Sequence, residues 1–181
     1  VELPSRSNSH AGVCDAMERD PVAAARWLIN RHGLHLPMKP FLISKGLGIE
    51  IVSCPLSSRT SGCLIPEPIE GQNAFHYLIV VNSLHPQERQ MFTVAHELGH
   101  WTMHRYMKRN FVCGQWPRDL LDMEANAFAA ELLMPEILVR RLAPQMTFVS
   151  LASVFGVSLA AMQRRLKELR LSARSTTMVS M

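Results

Sequence analysis

Residues 96–100 read His-Glu-Leu-Gly-His. On a helix, positions i and i+4 share one face, one turn apart. Two imidazoles so placed can both reach one metal ion at about 2.0–2.1 Å. The carboxylate after the first His stands at the rim of that face, where it reaches the remaining metal position without being a ligand. Zinc lowers the pKa of the water it binds to about 7, and such a carboxylate can take the proton as the water attacks a carbonyl. His96 and His100 are therefore expected as ligands and Glu97 as general base. With this His and Glu content, chance would produce the pattern only about 0.02 times. A helix face that merely carries two histidines is a poor account of it.

A catalytic site of this kind needs a third protein ligand. Position 106 is Tyr, so a His ten residues after His96 is not the solution. Glu124 is the expected third ligand. It opens the run EANAFAAELLMP, whose alanines allow two helices to approach closely. Asp119, Asp122 and Glu131 lie in the same stretch and are read as solvated or salt-bridged acids. His104 is again four residues on, but a straight helix carries it about 6 Å beyond His100. It is expected to hydrogen-bond to a neighbour or to the helix end rather than to bind metal. Such a donor set suits Zn2+, and Mn2+ or Fe2+ also fit it where available.

These side chains need rigid elements behind them. Helices are predicted over residues 21–31 and 38–45, the first with Asp20 as cap and Pro21 at its first position. Strand-like runs follow at 49–54, 62–65 and 75–81, and their short connections favour an antiparallel meander. A long helix over 86–105 carries the His-Glu pattern, and a loop with Cys113, Gly114, Trp116 and Pro117 comes next. A second helix, 119–134, carries Glu124. Residues 148–155 and 158–169 read as two helices around a Gly156 turn, a helix-turn-helix-like pattern capped by Ser158. Leu151, Val154, Phe155, Val157, Ala161, Met162, Leu166 and Leu169 are its expected seam. The fold class is α+β: a small three-stranded antiparallel sheet, two site helices and a C-terminal helical segment.

Charge is unevenly placed. The net +4 conceals +6 over the last 42 residues and −2 over the first 139. Arg164, Arg165, Lys167 and Arg170 decorate the last helix, which raises DNA binding by that segment. A helical pair packed on the body with a solvated basic face is the blander alternative, and docking to an acidic protein surface a third. No stretch approaches the roughly 18 apolar residues of a membrane span. The first residues lack the apolar core of a secretory leader. Cys14, Cys54, Cys63 and Cys113 show no paired spacing and read as reduced thiols, which points to the cytoplasm.

Residues 89–100 (RQMFTVAHELGH) and 124–135 (EANAFAAELLMP) together resemble the ImmA/IrrE family of metallo-endopeptidases. The resemblance covers about residues 20–171. One position departs from the pattern: Met91 stands where many members carry a basic residue. The resemblance implies a gluzincin-like zinc peptidase with His96, His100 and Glu124 as ligands and Glu97 as base. It also implies a substrate: helix-turn-helix repressors, removed so that stress-response or mobile-element genes are released. The expected organisation is a flexible segment at 1–19, a zincin-like domain at 20–139, the helical segment at 140–171 and a flexible tail at 172–181. The competing function is a DNA- or protein-binding regulator whose metal site is not catalytic. An intact Glu97 argues against it.

Overall fold

The fold was obtained as a computed structural model that describes residues 20–33, 35–113 and 119–174. The expected flexible segment at 1–19, most of the tail and the loop at 114–118 lie outside the described residues, as does Cys14. Seven helices and four strands form among the described residues. Helix α1 (Pro21–His32) starts where Asp20 accepts from the Val22 N–H at 2.9 Å, and ends at Gly33 with φ +83°. Its buried stripe of Ala24, Ala25, Leu28 and Ile29 faces the core. Helix α2 (Pro40–Gly46) leads into β1 (Glu50–Cys54), β2 (Gly62–Pro68) and β3 (Phe75–Asn82).

The sheet corrects the expected three-stranded antiparallel meander. It has four strands and is mixed, in the order β1-β3-β2-β4. β3 lies between the other two early strands, parallel to β1 (Val52↔Val80) and antiparallel to β2 (Leu64↔Ile79). The chain crosses from β1 to β2 in a loop without a crossover helix. Asn82 holds that loop: fully buried, it accepts from the Leu56 N–H and donates to the carbonyls of Leu56, Ser57 and Thr60 at 2.9–3.3 Å. One buried amide thus satisfies the backbone groups that a longer connection would have paired. β4 (Phe111–Cys113) pairs antiparallel with β2 through Gly62↔Cys113 and Leu64↔Phe111. Three residues are too few for an alternating pattern to show in a sequence, which is why the pattern there indicates only a loop.

Helix α3 (Gln87–His104) packs against the sheet, burying Val94, Ala95 and Leu98 in the same core as Leu64, Ile79 and Val81. Helix α4 (Leu120–Leu133) lies against α3 at Gly99. A Cβ at Gly99 would stand 3.1 Å from the Ala125 Cα and 3.1 Å from Phe128. Gly99→Val is expected to push the helices apart, cost about 1–3 kcal/mol, and weaken metal binding with it. Thermal melts and metal titration check this, and a variant normal in both would break the link between helix spacing and the site.

A short helix, α5 (Glu136–Leu142), begins directly after Pro135 and was not expected. The terminal pair is α6 (Phe148–Phe155) and α7 (Leu159–Glu168), capped by Thr147 and Ser158 around Gly156 at φ +64°. Leu151, Phe155, Met162 and Leu166 join the main core, with Val154, Ala161 and Leu169 partly buried. Arg165 corrects the expectation of a basic outer face. It is buried, ion-paired with Glu131 of α4, and donates to the Met134 carbonyl at 3.0 Å. Arg164, Lys167 and Arg170 remain exposed. No described helix is long and apolar enough to cross a membrane.

Candidate metal centre

The i, i+4 spacing does what helix geometry requires. His96 Nε2 and His100 Nε2 face one another at 3.1 Å, both rings buried in the middle of α3. Asp122 completes the cluster from the first turn of α4, with Oδ1 3.6 Å from His96 Nε2 and 3.4 Å from His100 Nε2. Asp119 sets its position by capping α4, accepting from the Asp122 N–H at 2.9 Å. Asn126, one turn after Asp122, holds His96 with Oδ1 3.1 Å from Nδ1. An amide oxygen only accepts, so this contact places a proton on His96 Nδ1.

Electrostatics keep the centre ready for a cation. Burial, followed by the neighbouring His96 and His104, pushes the His100 imidazole down to about 3, so it is neutral at physiological pH. The contact with His96 outweighs burial and holds the Asp122 carboxyl below its usual range. Two imidazoles and a carboxylate converging on one point form the donor set of a divalent cation. Glu97 stands beside them, 0% exposed, with neither carboxyl oxygen hydrogen-bonded among the described residues. Burial and the charge of Asp122 hold its carboxyl well above the usual range. Burying a carboxyl without a compensating hydrogen bond is costly.

The expected third ligand is placed differently. Glu124 is not brought to the two histidines: its Oε2 lies 2.9 Å from His104 Nε2. Residues 122 and 124 are about 200° apart around a helix, so α4 cannot present both to one point of α3. Asp122, read from sequence as a solvated or salt-bridged acid, takes the inner position. Glu131 is salt-bridged, as expected. His104 hydrogen-bonds within the cluster, its Nδ1 3.0 Å from His100 Nδ1. Phe111 of β4 stacks on His100 at 4.2 Å and 18°. Cys113 brings its Sγ within 4.8 Å of ligand atoms on His96 and Glu97.

Comparison with known proteins places the chain in a family. The model of the IrrE N-terminal-like domain matches residues 45–167, from the end of α2 through α7. The chain belongs to the ImmA/IrrE family of metallopeptidases. The Metallopeptidase ImmA of Bacillus subtilis (strain 168) is 33% identical over 70 residues, which is 38% of this chain and 40% of that protein's length. Membership in the ImmA/IrrE family accounts for the paired blocks at 89–100 and 124–135, which the fold sets side by side as α3 and α4.

Asp122, Asn126 and Phe111 join the cluster in the fold, whereas the sequence reading gives Asp122 only as a solvated or salt-bridged acid and singles out neither of the others. The i, i+4 spacing of Asp122 and Asn126, which mirrors that of the two histidines, was the available signal for the first two. Phe111 gave none, because its role depends on a three-residue strand. A developing oxyanion would need a donor, for which the sequence offers Tyr77, His76, Tyr106 and His104; Tyr77 donates its hydroxyl to the Arg105 carbonyl at 3.2 Å, and His104 contacts His100 and Glu124. His76 and Tyr106 are exposed.

Proposed function

We propose that this chain is a metal-dependent endopeptidase that cuts a helix-turn-helix transcriptional repressor. The observation that carries the catalytic part is the cluster of His96, His100 and Asp122 beside an unpartnered Glu97. A site that only holds metal for structure has no use for that carboxyl. His96, His100 and Asp122 would hold a divalent cation, zinc by donor type, with Mn2+ or Fe2+ as alternatives. When bound, the cation supplies a Lewis acid that polarises the scissile carbonyl and acidifies water. Glu97 takes a proton from the attacking water and delivers it to the leaving amine. Asn126 holds a proton on His96 Nδ1, and Phe111 fixes the plane of the His100 ring.

A substrate segment would lie extended along an edge of the sheet. β3 offers no free edge for this, since it pairs with β1 on one side and β2 on the other. β4 is an edge strand of the sheet, and its Phe111 touches His100. The repressor as substrate, and the release of stress-response or mobile-element genes, follow from the family resemblance. A DNA-bound substrate also agrees with a cytoplasmic setting. Candidate repressors from the same genome, incubated with the zinc-loaded protein, should show one discrete cut that a chelator prevents. Cleavage unaffected by chelation would overturn the reading.

The exposed cations of α7 fit substrate or DNA docking better than chemistry, since they lie on a helix that contributes nothing to the metal cluster. Replacing Arg164 and Lys167 with Gln, while leaving Arg165 intact, is expected to leave hydrolysis of a short peptide unchanged. A fall in peptide turnover, with fold and metal content preserved, would tie that helix to catalysis.

A further inference from the structure

The contacts behind His100 form a chain that the cleavage chemistry does not use. His100 Nδ1 lies 3.0 Å from His104 Nδ1, and His104 Nε2 lies 2.9 Å from Glu124 Oε2. Each contact needs one proton between its two heavy atoms. If His100 binds metal through Nε2, its neutral ring can carry a proton only on Nδ1. His100 then donates to His104, whose Nδ1 must be the acceptor. The proton of His104 is left on Nε2, where the Glu124 carboxylate, which only accepts, receives it. One assignment satisfies both contacts of this chain, and it runs from the metal face of His100 to a carboxylate on the neighbouring helix.

The surroundings restrict the ring further. Phe111 covers one face of His100 at 4.2 Å and also contacts His104 at 5.9 Å. His100 and His104 are both buried, so water does not compete for the nitrogen between them. We propose that His104 and Glu124 are positioning residues: together they hold His100 in its Nδ1–H tautomer and aim Nε2 at the cation. This rests on the reading of His100 as a ligand. It gives Glu124 a role different from the ligation expected of it, and explains why the helix carries two acids where one meets the histidine pair. Without the chain, His100 divides between tautomers and rotamers, and metal binding must select the competent one.

The test uses the full chain, with zinc affinity read by competition with a chelating dye. Histidine side-chain nitrogens are read by NMR in the metal-free protein. His104→Leu and Glu124→Ala are each expected to weaken zinc binding about 10–100-fold, and the double variant no further than the weaker single one. Glu124→Gln keeps an acceptor oxygen and should recover most of the affinity. In the metal-free His104→Leu protein, the Nδ1–H form of His100 should lose its dominance. If Glu124→Ala costs far more than His104→Leu, and Glu124→Gln is as poor as Glu124→Ala, Glu124 is itself a ligand and the proposal fails. It also fails if both single variants bind zinc normally with the His100 tautomer unchanged. His100→Ala is the separate control: normal zinc binding by that variant would overturn the metal centre rather than the positioning chain.

Discussion

Glu97→Gln is expected to retain the metal and to lower peptide hydrolysis by about 10²–10⁴-fold, the usual contribution of a positioned acid–base group. The amide keeps the shape of the side chain but can neither take a proton from water nor return one to the leaving amine. Activity against a short peptide and metal content by elemental analysis are the paired measurements. Undiminished turnover would sink the mechanism, and lost metal would make Glu97 part of the binding set. A second consequence concerns stability. The Glu97 carboxyl is held well above its usual range in the folded, metal-free protein. Its folded state therefore keeps a proton that the unfolded chain releases. Stability of the metal-free protein should fall as pH rises from the ordinary Glu range of about 4.3 through the raised value. Glu97→Gln removes that group, so its melting temperature should vary less with pH over the same window. A parent protein equally stable across that range would show that the buried carboxyl meets a partner in solution.

How far the sequence revealed this site follows from the range of each interaction. The two histidines and Glu97 sit within five residues on one helix, so the 3.6-residue period alone predicted their convergence. The third member of the cluster comes from another helix, and there spacing does not decide between Asp122 and Glu124. That choice depends on the rotation of α4 about its axis, set by the Asp119 cap and by Gly99 against Ala125. The strand runs were legible because β-branched residues cluster in them. Their order was not, because a side chain twenty-six residues from its loop, Asn82, holds the crossover. The basic end was legible as charge but not as burial. Arg165 differs from Arg164 only in the direction it projects from α7, and that direction is set by a carboxylate on α4.

Glu131→Ala is expected to be the most destabilising single change outside the core, at about 3–5 kcal/mol. Glu131 is 1% exposed and serves three partners. Its Oε1 accepts from Arg26 Nε at 2.8 Å, while Oε2 pairs with Arg165 and accepts from the Glu136 N–H at 3.3 Å. The partners differ in what their loss means. Arg26 is 52% exposed and can return to water, so that pair contributes about 0–1 kcal/mol. Arg165 is 7% exposed and would remain as a buried, uncompensated guanidinium with only the Met134 carbonyl. Removing one member of such a pair costs more than the pair itself contributes. For a chain of this length the loss corresponds to a melting temperature lower by about 6–20 °C. Replacing both members, as Glu131→Met with Arg165→Leu, should recover much of it by exchanging the buried charges for apolar contact. Denaturant unfolding of the three variants provides the check. A Glu131→Ala protein within about 0.5 kcal/mol of the parent, the range of ordinary surface changes, would mean that Arg165 finds solvent on its own. In that case α7 is not clamped to the metal-bearing helix, and its basic face is free to move independently of the peptidase body.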